Sequence, residues 1–142
     1  MIALGCDHGG YPLKLEILKF LEENGYEYKD YGCHSEDSCD YPEYAKAVAK
    51  AILNKEADRG ILICGTGIGI SIAANRFEGI RAALCGDCFS AKACREHNDA
   101  NILAMGARVT GAGLAVEITR AFLETEFSRD ERHKRRIAMI EE

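Results

Sequence analysis

The sequence of 142 residues contains no apolar run near the length that spans a bilayer, which takes about 20 residues in a helix. It also lacks a leader of the secretory kind. Met1 to Gly5 carries no basic side chain, and Asp7 and His8 follow at once. A cytoplasmic location with no membrane partner is expected. Positive charge is not in excess either: 18 lysines and arginines face 23 aspartates and glutamates, for a net charge of −5. That balance argues against nucleic acid as a partner, although a local cluster of arginines can still hold a small anion. With two prolines and no repeat or low-complexity stretch, nothing marks a linker. One domain over residues 1–142 is expected.

Cysteine is abundant but unpaired in pattern. The count of seven is odd, and without an export signal reduced thiols fit better than disulfides. Cys85-x-x-Cys88 and Cys33-x5-Cys39 are the close pairs, and neither makes a strong metal-ligand pattern. No metal is expected.

Strand and helix signals alternate along the chain. Ile2 to Cys6 reads as a strand, and Leu13, Ile17, Leu18 and Leu21 as the apolar stripe of a helix that stops at Asn24-Gly25. Tyr26 to Asp30 forms a second strand. After a polar loop, Pro42 opens a helix carrying Ala45, Val48, Ala49 and Ile52. Ile61-Leu62-Ile63-Cys64 has the unbroken apolar character of a buried parallel strand, followed by a helix over Ile70–Asn75. Arg81–Leu84 and Asn101–Met105 supply two more strands around a helix at Ser90–Glu96, and helices at Leu114–Leu123 and Arg129–Met139 close the chain. This order predicts an α/β three-layer sandwich: a five-stranded parallel sheet, helices on both faces and a C-terminal helix. Ligands in such folds bind beyond the carboxyl ends of the strands, which directs attention to Asp7-His8, Cys64–Gly69 and, after the fourth strand, Gly86-Asp87.

Three groups there and elsewhere can carry chemistry. Gly65-Thr66-Gly67-Ile68-Gly69 can turn its N–H groups inward as a nest for a phosphate or a developing oxyanion, or it can be a purely structural turn. It lacks the Lys-Ser/Thr pair of a P-loop. It also follows the third strand, whereas a dinucleotide fingerprint follows the first, so the fit to a nicotinamide-binding loop is poor. Cys64, directly before the nest, is either a core residue or a thiol whose thiolate the adjoining amides would stabilise as a base. His97 and Asn98 stand in the polar run Arg95–Asn101. His97 is either a cap or surface residue or a group that moves hydroxyl protons. His8, beside Asp7, can bind an anion when charged or a hydroxyl when neutral. Arg132 and Arg136, four apart on one helix face, are either a solvated charge run or a phosphate clamp that Arg108 can join.

Several segments together resemble the ribose-5-phosphate isomerase B family, which also contains the galactose-6-phosphate isomerase subunits. They are Gly5-Cys6-Asp7-His8, Asp40-Tyr41-Pro42, Gly60–Asn75 around Cys64-Gly65-Thr66-Gly67-Ile68-Gly69, Gly79–Ala82, Arg95–Asn101, Gly106–Val109, and Arg132 with Arg136. The resemblance runs nearly the whole length. It implies a Rossmann-like fold with neither dinucleotide nor any other cofactor, and a homodimer or dimer of dimers whose sites draw on two subunits. The substrate it implies is a phosphorylated sugar. By the same resemblance, Cys64 moves a proton between C2 and C1 through a cis-enediolate, while Thr66 and the amides of Gly65, Gly67 and Gly69 hold the oxyanion. His97, assisted by Asp7, opens the furanose ring. Tyr41 and Asn98 contact hydroxyls, and His8, Arg108, Arg132 and Arg136 hold the phosphate.

Within that family, the Arg95–Asn98 segment and the paired terminal arginines favour ribose 5-phosphate over the galactose-6-phosphate branch. Allose 6-phosphate, other hexose phosphates and free aldoses are the alternatives. A non-catalytic subunit would be expected to have lost Cys64 or His97, and both are present.

Overall fold

A strand such as Ile61–Cys64 has no polar face, so both sides of its sheet must be covered. The computed structural model, which describes residues 1–142, meets this with three layers. Its elements are β1 (Ile2–Cys6), α1 (Tyr11–Glu23), β2 (Tyr28–Asp30), α2 (Tyr41–Leu53), β3 (Arg59–Cys64), α3 (Ile68–Ala74), β4 (Ala82–Leu84), α4 (Cys88–Asn98), β5 (Ile102–Gly106), α5 (Ala112–Glu124) and α6 (Glu131–Ile140). All strand pairs are parallel, in the order β2-β1-β3-β5-β4. The Rossmann-like α/β sandwich expected from the sequence is the fold the chain adopts.

Alternation along the strands divides the core in two. Leu4 and Cys6 of β1, Ile61 and Ile63 of β3, and Leu103 and Met105 of β5 pack with Leu13, Ile17, Ala91, Ile118 and Phe122 of α1, α4 and α5. On the other face Ala3, Leu62, Cys64, Ile102 and Ala104 meet Ala45, Val48, Ala49, Ile70 and Ala74 of α2 and α3. Helix α2 can approach closely because the strand residues beneath it are small. A Cβ on Gly60 would lie 2.6 Å from Val48 Cγ1, so any side chain there would lift the helix off the sheet.

Element boundaries differ from the sequence expectation in instructive places. Strand β2 starts at Tyr28, not Tyr26, because the Tyr26 N–H is spent closing α1 onto the Leu21 carbonyl. Helix α4 runs on to Asn98, so His97 and Asn98 are helical, and Asp99 ends it in the left-handed conformation at φ 46°. All seven cysteines are free thiols. Cys6 Sγ lies 3.8 Å from Cys33 Sγ, and Cys85 Sγ 4.0 Å from Cys94 Sγ. Burial pushes the Cys6 thiol well above its ordinary range, which fits a packing role for it.

A buried cation ties the first strands together. Lys14 on α1 is fully buried. Its Nζ donates to Asp30 Oδ1 at 2.7 Å at the end of β2, and to the Cys33 carbonyl. Asp30 Oδ1 also accepts from the Gly32 N–H at 2.9 Å. The pair therefore fixes the course of the chain as it leaves β2. Lys14→Met leaves Asp30 without its cation and should cost about 3 kcal/mol in urea unfolding. Adding Asp30→Asn should return part of that loss.

Candidate active site

Strands β1 and β3 are neighbours in register from Ile2–Arg59 to Cys6–Ile63, yet the chain leaves them toward opposite faces. After β1 it enters α1, which belongs to one half of the core, and after β3 it enters α3, which belongs to the other. The two loops part at the carboxyl edge, the place where sheets of this kind bind ligands; they touch where Gly9 meets Gly65, for a Cβ on Gly9 would lie 3.5 Å from Gly65 N.

One side of this edge carries Asp7 and His8. Asp7 is buried, with Oδ1 accepting from the Gly10 N–H at 3.0 Å and its own N–H donating to the Ile63 carbonyl at 3.2 Å. Gly10 has to be glycine, since a Cβ there would sit 2.4 Å from the Ile63 carbonyl oxygen. His8 Nδ1 accepts from the Cys39 N–H at 3.2 Å. That bond leaves the ring proton on Nε2, the nitrogen turned away from Cys39.

The other side is the Cys64 loop. Cys64 is 5% exposed, and its Sγ accepts from the Gly67 N–H at 3.1 Å. Gly67 adopts the left-handed conformation at φ 80° as the cap of α3. A Cβ there would lie 2.5 Å from Leu84 Cδ1 and 2.8 Å from the Met105 carbonyl carbon. Thr66 is exposed, with Oγ1 accepting from the Ile68 N–H at 3.2 Å. Gly69 lets the Tyr41 ring rest on the loop, for a Cβ there would be 2.6 Å from Tyr41 Cζ. Arg108 packs over Gly65 and donates its N–H to the Gly65 carbonyl at 2.9 Å. Asp7, His8, Tyr41, Cys64, Gly65, Thr66, Gly67, Gly69 and Arg108 thus share the carboxyl rim.

The remaining sequence candidates do not. Helix α4 runs back down the sheet, and at its end Asn98 and Asp99 carbonyls accept from Arg81 at the entry to β4. Asn101 O accepts from the Gly60 N–H, four residues before Cys64, or about 13 Å along a strand. His97 and Asn98 therefore lie at the amino edge. Helix α6 joins them there through the His97 and His133 rings, 4.7 Å apart, bringing Arg132 and Arg136 to the same side. Both arginines are exposed, and Arg132 pairs with Asp130 at 3.4 Å. One chain holds the candidate residues as two half-sites on opposite edges.

Other features went unread in the sequence. Apolar side chains stand exposed on and around the Cys64 loop: Ile68 at 51%, Ile72 at 60% and Val109 at 72%. Helical periodicity gave no hint of them, because they fall on the solvent side of short elements. His133 is 6% exposed although it sits within a run of charged residues. Two clefts of about 690 and 330 Å³ contain neither Cys64 nor Tyr41. No helix is long and apolar enough to cross a membrane, and no group of three or more His, Cys, Asp or Glu residues gathers to hold a metal ion.

Comparison with known proteins bears on this arrangement. The family model described as Ribose/Galactose Isomerase matches residues 2–140. The chain belongs to that family. Ribose-5-phosphate isomerase B of Escherichia coli is 51% identical over 139 residues, covering 98% of this chain and 93% of the relative. The solved structure of Clostridium thermocellum ribose-5-phosphate isomerase B superposes with a TM-score of 0.97 at 53% identity, covering 99% of this chain and 94% of that one. The LacB subunit of galactose-6-phosphate isomerase from Clostridium acetobutylicum is 38% identical over 142 residues, all of this chain and 82% of the relative. The ribose/galactose isomerase fold and activity class are thus those of this chain, an aldose–ketose isomerase.

Gly67 is the position at which loop geometry and packing meet. Gly67→Ala must leave the left-handed conformation or push Leu84 and the Met105 backbone aside, which moves the amide off Cys64 Sγ. Isomerase turnover should fall about a hundredfold at a temperature where the variant is still folded, with the thermal midpoint lowered by about ten degrees, as steady-state assay and calorimetry would show.

Proposed function

We propose that the chain interconverts D-ribose 5-phosphate and D-ribulose 5-phosphate, acting as one sugar-phosphate isomerase domain over residues 1–142 in the cytoplasm and without a cofactor. The observation that carries this reading is Cys64 Sγ at the end of β3, hydrogen-bonded by the Gly67 amide at 3.1 Å, at the carboxyl rim that also holds Asp7. A single base beside two adjacent carbons, an oxyanion nest and a distant grip on phosphate are what an aldose–ketose isomerisation needs.

In the proposed reaction the Cys64 thiolate takes the proton from C2 of the open-chain aldose. Electrons move onto the C1 carbonyl oxygen, and the resulting cis-enediolate is held by Thr66 and the amides of Gly65, Gly67 and Gly69. The Cys64 thiol, whose proton exchanges with solvent in competition with transfer, then protonates C1. The C2 hydroxyl gives up its proton as its oxygen becomes the carbonyl, and the C1 oxygen takes up a proton to end as a hydroxyl, so protons balance and no electrons leave the sugar. Tyr41 and Asn98 contact the sugar hydroxyls, and His8, Arg108, Arg132 and Arg136 bind the phosphate. His97, aided by Asp7, opens the furanose ring.

A ring-opening group on the edge opposite the base requires a second copy of the chain. In the proposed homodimer, or dimer of dimers, the partner's amino edge closes over the rim at Cys64 and supplies His97, Asn98, Arg132 and Arg136. The exposed Ile68, Ile72 and Val109 beside that rim are apolar surface of the kind such a contact would cover.

Ribose 5-phosphate and allose 6-phosphate, followed in heavy water by NMR, test the reaction and its substrate together. Cys64→Ala should lower conversion by about a thousandfold. Undiminished conversion would remove Cys64 as the base, and faster allose 6-phosphate turnover would replace the pentose with a hexose. Arg136→Ala should weaken use of the phosphorylated sugar by about tenfold or more while sparing the matching free sugar. Equal losses on both would count against direct phosphate binding.

A further inference from the structure

The amino-edge half-site contains a residue with no part in the reaction as described. His133, on the first turn of α6, is 6% exposed among exposed neighbours Arg132 and Lys134. Its ring lies against that of His97 with centroids 4.7 Å apart and planes at 37°. Nδ1 shares a hydrogen bond of 2.7 Å with Ser128 Oγ. Ser128 in turn donates its N–H to the Glu96 carbonyl at 3.1 Å, next to His97, and Ser128 Oγ accepts from the Asp130 N–H at 3.2 Å. His97 itself is exposed and forms none of the chain's side-chain hydrogen bonds. The His133 ring is the aromatic group against which the His97 ring rests.

We infer that His133 is a positioning residue: held by Ser128, it presents the flat of its ring to His97 and fixes the direction in which His97 meets the sugar. The inference rests on the reading of His97 as the ring-opening group. The charges around the plate suit the task. Burial first, then Arg132, His97 and Arg136, hold His133 below the ordinary histidine range, against the pull of Asp130. These are the charged or titratable groups facing it, from α4, from α6 and from the segment between α5 and α6. A plate that stays neutral lets His97 gain and lose a proton without an imidazolium pressed against its face. The aromatic contact needs only a ring, whereas the anchoring needs Nδ1.

The chemistry of the two sugars separates this role from the base chemistry. Ribose 5-phosphate closes to a furanose and must be opened. Ribulose 5-phosphate cannot form a furanose, because its O5 is esterified, so exchange of its C1 proton with solvent needs the base and no ring opening. The experiment measures both on the full chain: conversion of ribose 5-phosphate, and deuterium wash-in at C1 of ribulose 5-phosphate. For His133→Ala, conversion should fall about tenfold with wash-in within about twofold of wild type. His133→Phe, which restores a ring, should recover most of the loss. Ser128→Ala keeps the buried ring but frees Nδ1, and should show a smaller loss of the same selective kind. It also covers the case in which His133→Ala disturbs α6. Unchanged conversion in His133→Ala, equal loss of conversion and wash-in, or His133→Phe as impaired as His133→Ala would each overturn the positioning role. Wild-type wash-in that does not depend on Cys64 would instead overturn the proposed base. Selective loss in His133→Ala that is absent from His97→Ala would overturn the assignment of His97, and with it this inference.

Discussion

The pairing of β1 with β3 governs what the molecule can do. These are the central strands, and the chain departs from them toward opposite faces of the sheet. Parallel pairing aligns their carboxyl ends, so Asp7-His8 and Cys64 arrive at one edge without any designed contact between their side chains. The opposite departures set the two loops side by side at that edge, touching at Gly9 and Gly65. Everything else at the carboxyl rim, including Tyr41 from α2 and Arg108 from the end of β5, is added to that arrangement.

Close backbone approach is the recurring cost of placing the loops this way. Gly10 faces the Ile63 carbonyl, Gly67 faces the Met105 backbone, and a Cβ on Gly106 would lie 2.5 Å from the Thr66 carbonyl oxygen. At each of these points one loop rests directly on the chain of a neighbouring strand or loop, where a methyl group has no space. The Gly67 amide reaches Cys64 Sγ because of this crowding. The course of the loop is thus set by packing at Gly10, Gly67 and Gly106.

Much of this was legible in the residues. The apolar run Ile61–Cys64 and the stripes of α1 and α2 fix which segments are strand and helix, and the alternation of elements fixes a parallel sheet. The short connection from Cys64 into α3 was readable as a tight glycine turn, and the resemblance carried by Asp7-His8, Cys64–Gly69 and Arg95–Asn101 supplied the isomerase class. What the residues could not reveal depends on distance across the fold. His97 belongs to the same motif set as Cys64, yet their separation at opposite edges follows from the downward course of α4, which periodicity does not measure. His133 was hidden because a histidine between arginine and lysine reads as solvated surface. Its burial comes from a contact with α4 thirty-six positions earlier. The same holds for Lys14, which looks like an ordinary helix-surface lysine until β2 brings Asp30 beside it.

Two half-sites on opposite edges have a consequence for heredity as well as for chemistry. On the proposed two-copy site, each chain gives its base to one crevice and its ring-opening group to the other. A cell carrying one gene copy altered at Cys64 and another altered at His97 would make mixed pairs of chains. In such a pair one crevice joins both defects, while the other joins the intact Cys64 of one chain to the intact His97 of its partner. Two inactive alleles would then restore activity between them, whereas either allele alone would remain null.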